Sequence, residues 1–316
     1  MMNSFRKGCA AAFLALGIVA STMPAGAELS YPPGLRIGLD PPGDLKLSKQ
    51  FPGFEDIERQ VRVTILDLPA GAYAQLEAAA FAKLEQGLEQ QKRESFPFGS
   101  GIGFLISGVA HRDGATLHRW SLLAKAVGGT EQNLTMLINV EVPDSALPIY
   151  SEAVIRKALA SVTFRPAPIQ EQLGLLPFKL GDMAGFRAIQ VVPTGGVILT
   201  DGPTDNIARQ PYMIVSVERG GPPTPGDRAR FARDLLATAP VRDLSFQSAE
   251  SMRINGGPGY EVRAQAKGPG GETVSLVQWL RFGNSAFLRV IGVSRTEDWN
   301  ELFTRFRAVR DGIAQR

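Results

Sequence analysis

Two spacings of apolar residues divide the chain. Strand-like density runs from Val61 to Leu68 and again from Tyr212 to Val217, while Leu134, Met136, Ile138 and Val140 recur at period two. Phe287, Val290, Ile291 and Val293 form the matching stretch near the C-terminus. Helical spacing governs four other segments. Tyr73, Leu76, Ala80, Leu84 and Leu88 predict a helix over 72–90, with Pro69 near its start. Thr224 as cap, Pro225 at the first helical position and Asp227 at the positive end of the dipole predict a second, with Phe231 and Leu235 inward. A third places Leu147, Tyr150, Val154 and Ala158 on one face behind a cap at Asp144 or Ser145. In the fourth, a Ser294–Glu297 capping box precedes Trp299, Leu302, Phe303, Phe306 and Val309. Five large apolar residues on one helix read as core rather than as a partner-binding face.

The two halves repeat. Gly101-Ile102-Gly103-Phe104 opens a strand in the first, and Gly257-Pro258-Gly259-Tyr260 does so 156 residues later. Trp120 finds its counterpart in Trp279 at an offset of 159, and the three-residue difference falls in the intervening turn, short at Arg112-Asp113-Gly114 and long at 267–272. Glycine turns follow each Trp, at Gly128-Gly129 and at Gly283-Asn284. Each copy thus opens with strands, passes a helix, returns as a three- or four-strand antiparallel meander and closes with a helix. The expected class is α+β, two tandem domains of antiparallel sheet with helices on its faces, α/β/α sandwich-like. Boundaries fall at 28–165 and 172–316, with a linker over 166–171 after the Pro-rich Arg165-Pro166-Ala167-Pro168.

Several short segments carry a resemblance. They are the opening strand Leu35 to Leu39 with Pro41-Pro42, the Phe51-Pro52-Gly53-Phe54 segment, the Gly-x-Gly-aromatic strand start, and the closing meander with its helix. Together they resemble the PsbP-like fold family, which includes the extrinsic photosystem II subunit and the Ran-binding nuclear-import factor, here as two tandem copies in a secreted bacterial-type protein. The resemblance implies non-enzymatic binding or assembly modules and assigns no partner-contacting residue.

The N-terminus changes the charge arithmetic. Arg6 and Lys7, the apolar run Cys9 to Ala20 and Ala25-Gly26-Ala27 read as a signal peptide over 1–27, cleaved after Ala27. The twelve-residue run is too short to cross a membrane, which takes about 20. Removing this leader leaves 289 residues and lowers the formal charge from +3 to +1, so the basic footprint of a nucleic-acid binder disappears. The single cysteine, Cys9, goes as well, and no disulfide can form. With 44% hydrophobic residues, each domain of about 140 residues buries enough surface to fold without such a staple.

Catalytic signatures are missing: no Gly-x-Ser-x-Gly elbow, His-Glu-x-x-His, Walker loop or EF-hand loop occurs. Gly99-Ser100-Gly101-Ile102-Gly103 precedes a strand rather than a helix, so it reads as a strand-entry turn and not a phosphate cradle. A two-residue turn at Asp113-Gly114 pairs His111 with Thr116 and Val109 with His118, which puts the two histidines diagonally on one face at about 7–8 Å. Two imidazoles fall short of the three ligands of a catalytic zinc and read as solvated strand residues. Glu55-Asp56 reads as a turn and Glu297-Asp298 as a helix's first turn. No catalytic, cofactor or metal residue is therefore assigned.

The expected function is a non-catalytic periplasmic or secreted module that binds another envelope protein or supports envelope assembly, with no nucleic acid and no transmembrane segment after cleavage. The alternative is a small-ligand or metal-binding protein using the interdomain cleft, walled by Phe51, Phe54, Phe96 and Phe98. The bland reading of those four rings is that they cap the first core.

Overall fold

The computed structural model describes residues 28–82, 88–99, 101–112, 114–126, 134–192, 195–222, 224–239 and 241–316, with the backbone alone for 79–82. The leader, the Gly128-Gly129 turn, Leu84, Ser100 and Asp113 lie outside the described residues.

The first half begins with β1 (Ile37–Gly38), β2 (Lys46–Leu47), β3 (Gly53–Asp56) and β4 (Val61–Pro69), followed by α1 (Ala72–Ala82). A four-strand meander follows: β5 (Leu88–Phe98), β6 (Gly101–Arg112), β7 (Ala115–Ala126) and β8 (Leu134–Pro143). Then come α2 (Glu152–Ala160) and β9 (Thr163–Phe164), which pairs back onto β1. The second half runs α3 (Ile169–Leu175), β10 (Phe178–Leu180), β11 (Arg187–Val192), β12 (Gly196–Thr200), β13 (Tyr212–Arg219) and α4 (Arg228–Leu236). Its meander is β14 (Arg242–Ile254), β15 (Gly257–Lys267), β16 (Thr273–Phe282) and β17 (Ala286–Arg295), closed by α5 (Trp299–Asp311) and β18 (Ile313–Gln315), which pairs with β10.

Two antiparallel seven-stranded sheets result, ordered β2-β3-β4-β8-β7-β6-β5 and β11-β12-β13-β17-β16-β15-β14, and they make two tandem α+β domains. The orders match place for place, and Trp120 and Trp279 sit on corresponding strands. Trp120 pairs with Val140, which pairs with Val63; Trp279 pairs with Val290, which pairs with Val215. The longer hairpin of the second sheet has five residues between Lys267 and Thr273, against two between Arg112 and Ala115.

Each sheet is covered on both faces. Period two sends Trp120, Leu122, Met136, Ile138 and Val140 to the side packed by Ile155 and Leu159 of α2. The opposite face sends Phe104, Ile106 and Leu123 against Tyr73 and Leu76 of α1. In the second domain Val215, Trp279 and Val290 meet Leu302, Phe306 and Val309 of α5, while Val262, Leu276 and Ile291 meet Ala232 and Leu236 of α4. Burying a side chain of this size contributes about 1.5–3 kcal/mol, which is why the five-residue stripe of α5 is core. Among the described residues no helix is long and apolar enough to cross a membrane.

Four expected helix starts or stops move. The helix predicted over 72–90 gives way to strand by Leu88, which pairs with Ala110 and is buried beneath α1. Leu88 keeps helical spacing in the sequence, but its place in the ladder with β6 overrides it. Asp144 and Ser145 do not cap α2. They lie in a single 3₁₀ turn ahead of Leu147-Pro148, where the proline disfavours helix at the residue before it. The cap is Ser151, whose Oγ accepts from the Val154 N–H at 3.5 Å. Ser294 is likewise no cap: it pairs with Ser275 in the ladder, which holds it extended, and a 3₁₀ turn over 296–298 separates it from α5. Thr224 precedes a 3₁₀ turn at 225–227, and its hydroxyl donates to Asp227 at 2.7 Å rather than capping the backbone.

The outer strand of each meander carries a bulge near its start. The register of β5 shifts between Glu89 and Lys92, with Gln90 at φ 51°, and that of β14 shifts between Arg242 and Ser245, with Asp243 at φ 52°.

Candidate functional site

The residues singled out in the sequence scatter. The pairing of His111 with Thr116 and of Val109 with His118 is the expected one. The two imidazoles then take different carboxylates: His111 Nε2 lies 3.8 Å from Glu89, and His118 Nε2 lies 3.0 Å from Asp144 with its ring stacked near Trp120. No group of three His, Cys, Asp or Glu side chains converges as a metal site among the described residues. Phe54 and Phe96 are buried in the first core and Phe98 packs against it, which leaves Phe51, under the Arg62 guanidinium, as the one ring of the four outside that core.

Polar groups that do converge lie inside the domains. Asp56 belongs to β3 rather than to a turn, and alternation turns it inward two residues after Phe54. It accepts from the Tyr150 hydroxyl at 2.7 Å and from Arg59 Nη1 at 2.9 Å. Burial pushes the Asp56 carboxyl up, but the hydrogen bonds from Tyr150 and Arg59 outweigh it and hold the group below its ordinary value. Burial and the same Asp56 bond push Tyr150 up to about 12. Sequence spacing put Tyr150 on a helix face and missed this pair; the inward register of Asp56 is the signal that reveals it.

The second domain holds a different cluster. The Trp279 indole N–H donates to Glu261 at 2.6 Å directly across the ladder, and Arg263 donates to the same carboxylate at 2.7 Å. Arg310, only 5% exposed, lies 4.8 Å over the Trp279 ring. Ser107 faces Trp120 at the corresponding position of the first sheet, so that domain has no carboxylate there.

Helix α3 joins the halves and is held from both sides. From the first, Arg165 grips Glu171 through two bonds of 2.9 and 2.7 Å, the Gly34 N–H donates to Glu171, and Gln172 donates to the Gly34 carbonyl. From the second, Leu173 and Leu176 pack into the α5 core, and Arg316 donates to the Leu173 and Gly174 carbonyls. A cavity of about 340 Å³ opens beside the helix, lined by Gln170, Leu173, Leu176, Lys179, Leu180, Met183 and Arg316. None of its lining residues precedes Gln170, so none of the four phenylalanines walls it.

The Glu171 bonds give a pH prediction. Arg165 and the Gly34 N–H hold the Glu171 carboxyl below its ordinary value. A lowered pKa stabilises the native state fully above the unfolded value of about 4.3 and progressively less as pH falls through the folded one. Amide exchange at Gly34 is therefore expected to be flat from neutral pH to about 4.5 after correction for intrinsic rates, then to quicken in acid. In Glu171→Gln that acid step is expected to vanish, and its persistence would assign it to another group.

No protein-family model matches the chain, and no curated protein matches its sequence. Among solved structures, the chain is similar to LpqN, described as involved in cell envelope biogenesis of Mycobacterium tuberculosis, at 12% identity over 43% of this chain and 82% of that one, with a TM-score of 0.35. It is also similar to cyanobacterial PsbP (CyanoP) from Synechocystis sp. PCC 6803, at 14% identity over 42% and 94%, TM-score 0.28. A third match, the type VI secretion immunity protein TplEi of Pseudomonas aeruginosa, extends over 91% of this chain and 96% of that one, at 13% identity and a TM-score of 0.29.

Proposed function

We propose that the chain is an exported, non-catalytic binding or assembly protein of the bacterial envelope, made of two PsbP-like units over 28–165 and 172–316 joined through 166–171. One observation supports the non-catalytic part: among the described residues the carboxylates whose acidity shifts, Asp56, Glu94, Glu171 and Asp201, all move down, each against an arginine. A carboxyl that works as a general acid near neutral pH is one raised towards 7 and left accessible. These four are locked as anions by Arg59, Arg156, Arg165 and Arg305. The matching strand orders and the paired tryptophans support the tandem reading, and the sequence of 1–27 supports export.

The test has two arms. Mass measurement of the periplasmic fraction from cells expressing the full chain is expected to find a product that starts at Glu28; an uncut cytoplasmic product overturns export. A photo-crosslinking residue placed at exposed Ile57 or Leu175 is expected to trap a discrete adduct in the cells that make the protein. Smears or monomer alone at both positions would count against a dedicated partner.

A further inference from the structure

A second cavity lies at the far end of the second sheet, away from α3. Its volume is about 240 Å³. Tyr212 opens β13 and pairs with Thr200 on one side and Val293 on the other, so its ring stands at the sheet's end. Val274 at the start of β16, Val293 near the end of β17 and Val241 complete an apolar floor. The 3₁₀ turn over 207–209 and the long 268–272 hairpin turn form the rim, bringing Arg209, Pro269 and Glu272. The first domain has a two-residue turn where this hairpin stands, so the extra length belongs to the cavity's own half.

The polar groups of this cavity are unequally used. Tyr212 is 9% exposed, yet its hydroxyl has no hydrogen-bond partner among the described residues. Burial raises its pKa, so it remains a donor at neutral pH. A hydroxyl at a cavity wall that no protein group engages is open to an acceptor supplied by a ligand. Gln210 spends its amide on Thr204, and Arg295 pairs with Glu297 at 3.2 Å. Glu272 lies over Gly268 and Gly270 of its own turn and keeps its carboxylate on the rim. Arg209 remains as the rim cation with no ion pair among the described residues.

We propose that this cavity binds a small organic acid with an apolar body, its hydrocarbon part on Val241, Val274 and Val293, its carboxylate accepting from the Tyr212 hydroxyl and drawn in by Arg209. Pockets for drug-sized ligands run to roughly 300–1,000 Å³, so about 240 Å³ suits a single ring or a branched chain. An apolar floor with the Tyr212 hydroxyl and Arg209 on one side of the mouth, and Glu272 on its rim, favours an acid that keeps its carboxylate on the Arg209 side over a plain hydrocarbon. The site lies within one domain and stands apart from the partner-binding reading.

Titration of the full mature chain with phenylacetate, indole-3-acetate and isovalerate, followed by amide NMR, tests this. At least one acid is expected to give saturable shifts at Tyr212, Val274 and Val293, with toluene and acetate each binding more weakly. Tyr212→Phe keeps the ring and is expected to weaken the acid about tenfold or more, the loss of a hydrogen bond to a charged group. Arg209→Gln, at an exposed position where substitutions ordinarily cost little stability, is expected to weaken it several-fold and to flatten its salt dependence. No saturable shift with any of the three acids overturns the proposal. So does unchanged affinity in both variants, or saturable shifts that avoid these residues.

Discussion

Trp279→Ala is expected to melt the second domain about 10 °C or more below the native chain while the first keeps its own transition. The ring is completely buried, 5.8 Å from Phe303 and beneath the Arg310 guanidinium. Large-to-small core changes of this kind cost about 3–5 kcal/mol, and in domains near this size each kcal/mol moves Tm by about 2–4 °C or more. The cavity is only part of the loss. Glu261, nearly buried, forfeits the indole N–H and keeps a single donor in Arg263. Trp120→Ala carries no such second term, because Ser107 stands opposite it, and is expected to cost less. Hydrogen exchange discriminates the domains: protection should fall across β13–β17 and hold across β4–β8. Equal loss in both sheets would show that the two cores do not stand separately.

Gly53→Ala is expected to damage the first domain by about 3 kcal/mol or more. Gly53 lies at φ 148°, and a Cβ there would sit 1.9 Å from the Val63 carbonyl oxygen. That atom is backbone of the neighbouring strand and has no rotamer with which to retreat. Either β3 moves away from β4 or the residue abandons its conformation, and both displace Phe54 from the core and Asp56 from Tyr150. The displacement has a spectroscopic readout. Tyr150, pushed up to about 12 by burial and by Asp56, is expected to titrate nearer the ordinary tyrosine value of about 10. An unchanged tyrosinate titration would mean that β3 absorbs the methyl group without shifting.

Strands were the legible part of this chain. Period two in Leu134, Met136, Ile138 and Val140 states both the element and its buried face, and the two tryptophans mark corresponding strands because a buried indole tolerates few positions. Helix ends were less legible. Ser294 and Glu297 satisfy a capping pattern three residues apart, but the pairing of Ser294 with Ser275 overrides it, and that partner is nineteen residues away in sequence. Asp144 failed as a cap for a local reason, Pro148, which the sequence does display. The polar clusters were hidden for another reason. Asp56 and Tyr150 are 94 residues apart, so their bond depends on how the first sheet's face is closed by the segment before α2. Tyr212 shows the same limit: strand density marks its element, but only the packed structure reveals a hydroxyl without an acceptor.

The kinks at Gln90 and Asp243 bear on life in a crowded compartment. A straight outermost strand is a template that another chain can extend. One supernumerary residue turns the rim out of line, so an approaching strand finds donors and acceptors at the wrong pitch. Deleting Gln90 would straighten β5, which has this one kink, and insoluble ribbons, rather than a lower melting point, would be the signature; β14 carries a second shift between Phe246 and Ser248 and would stay out of line without Asp243.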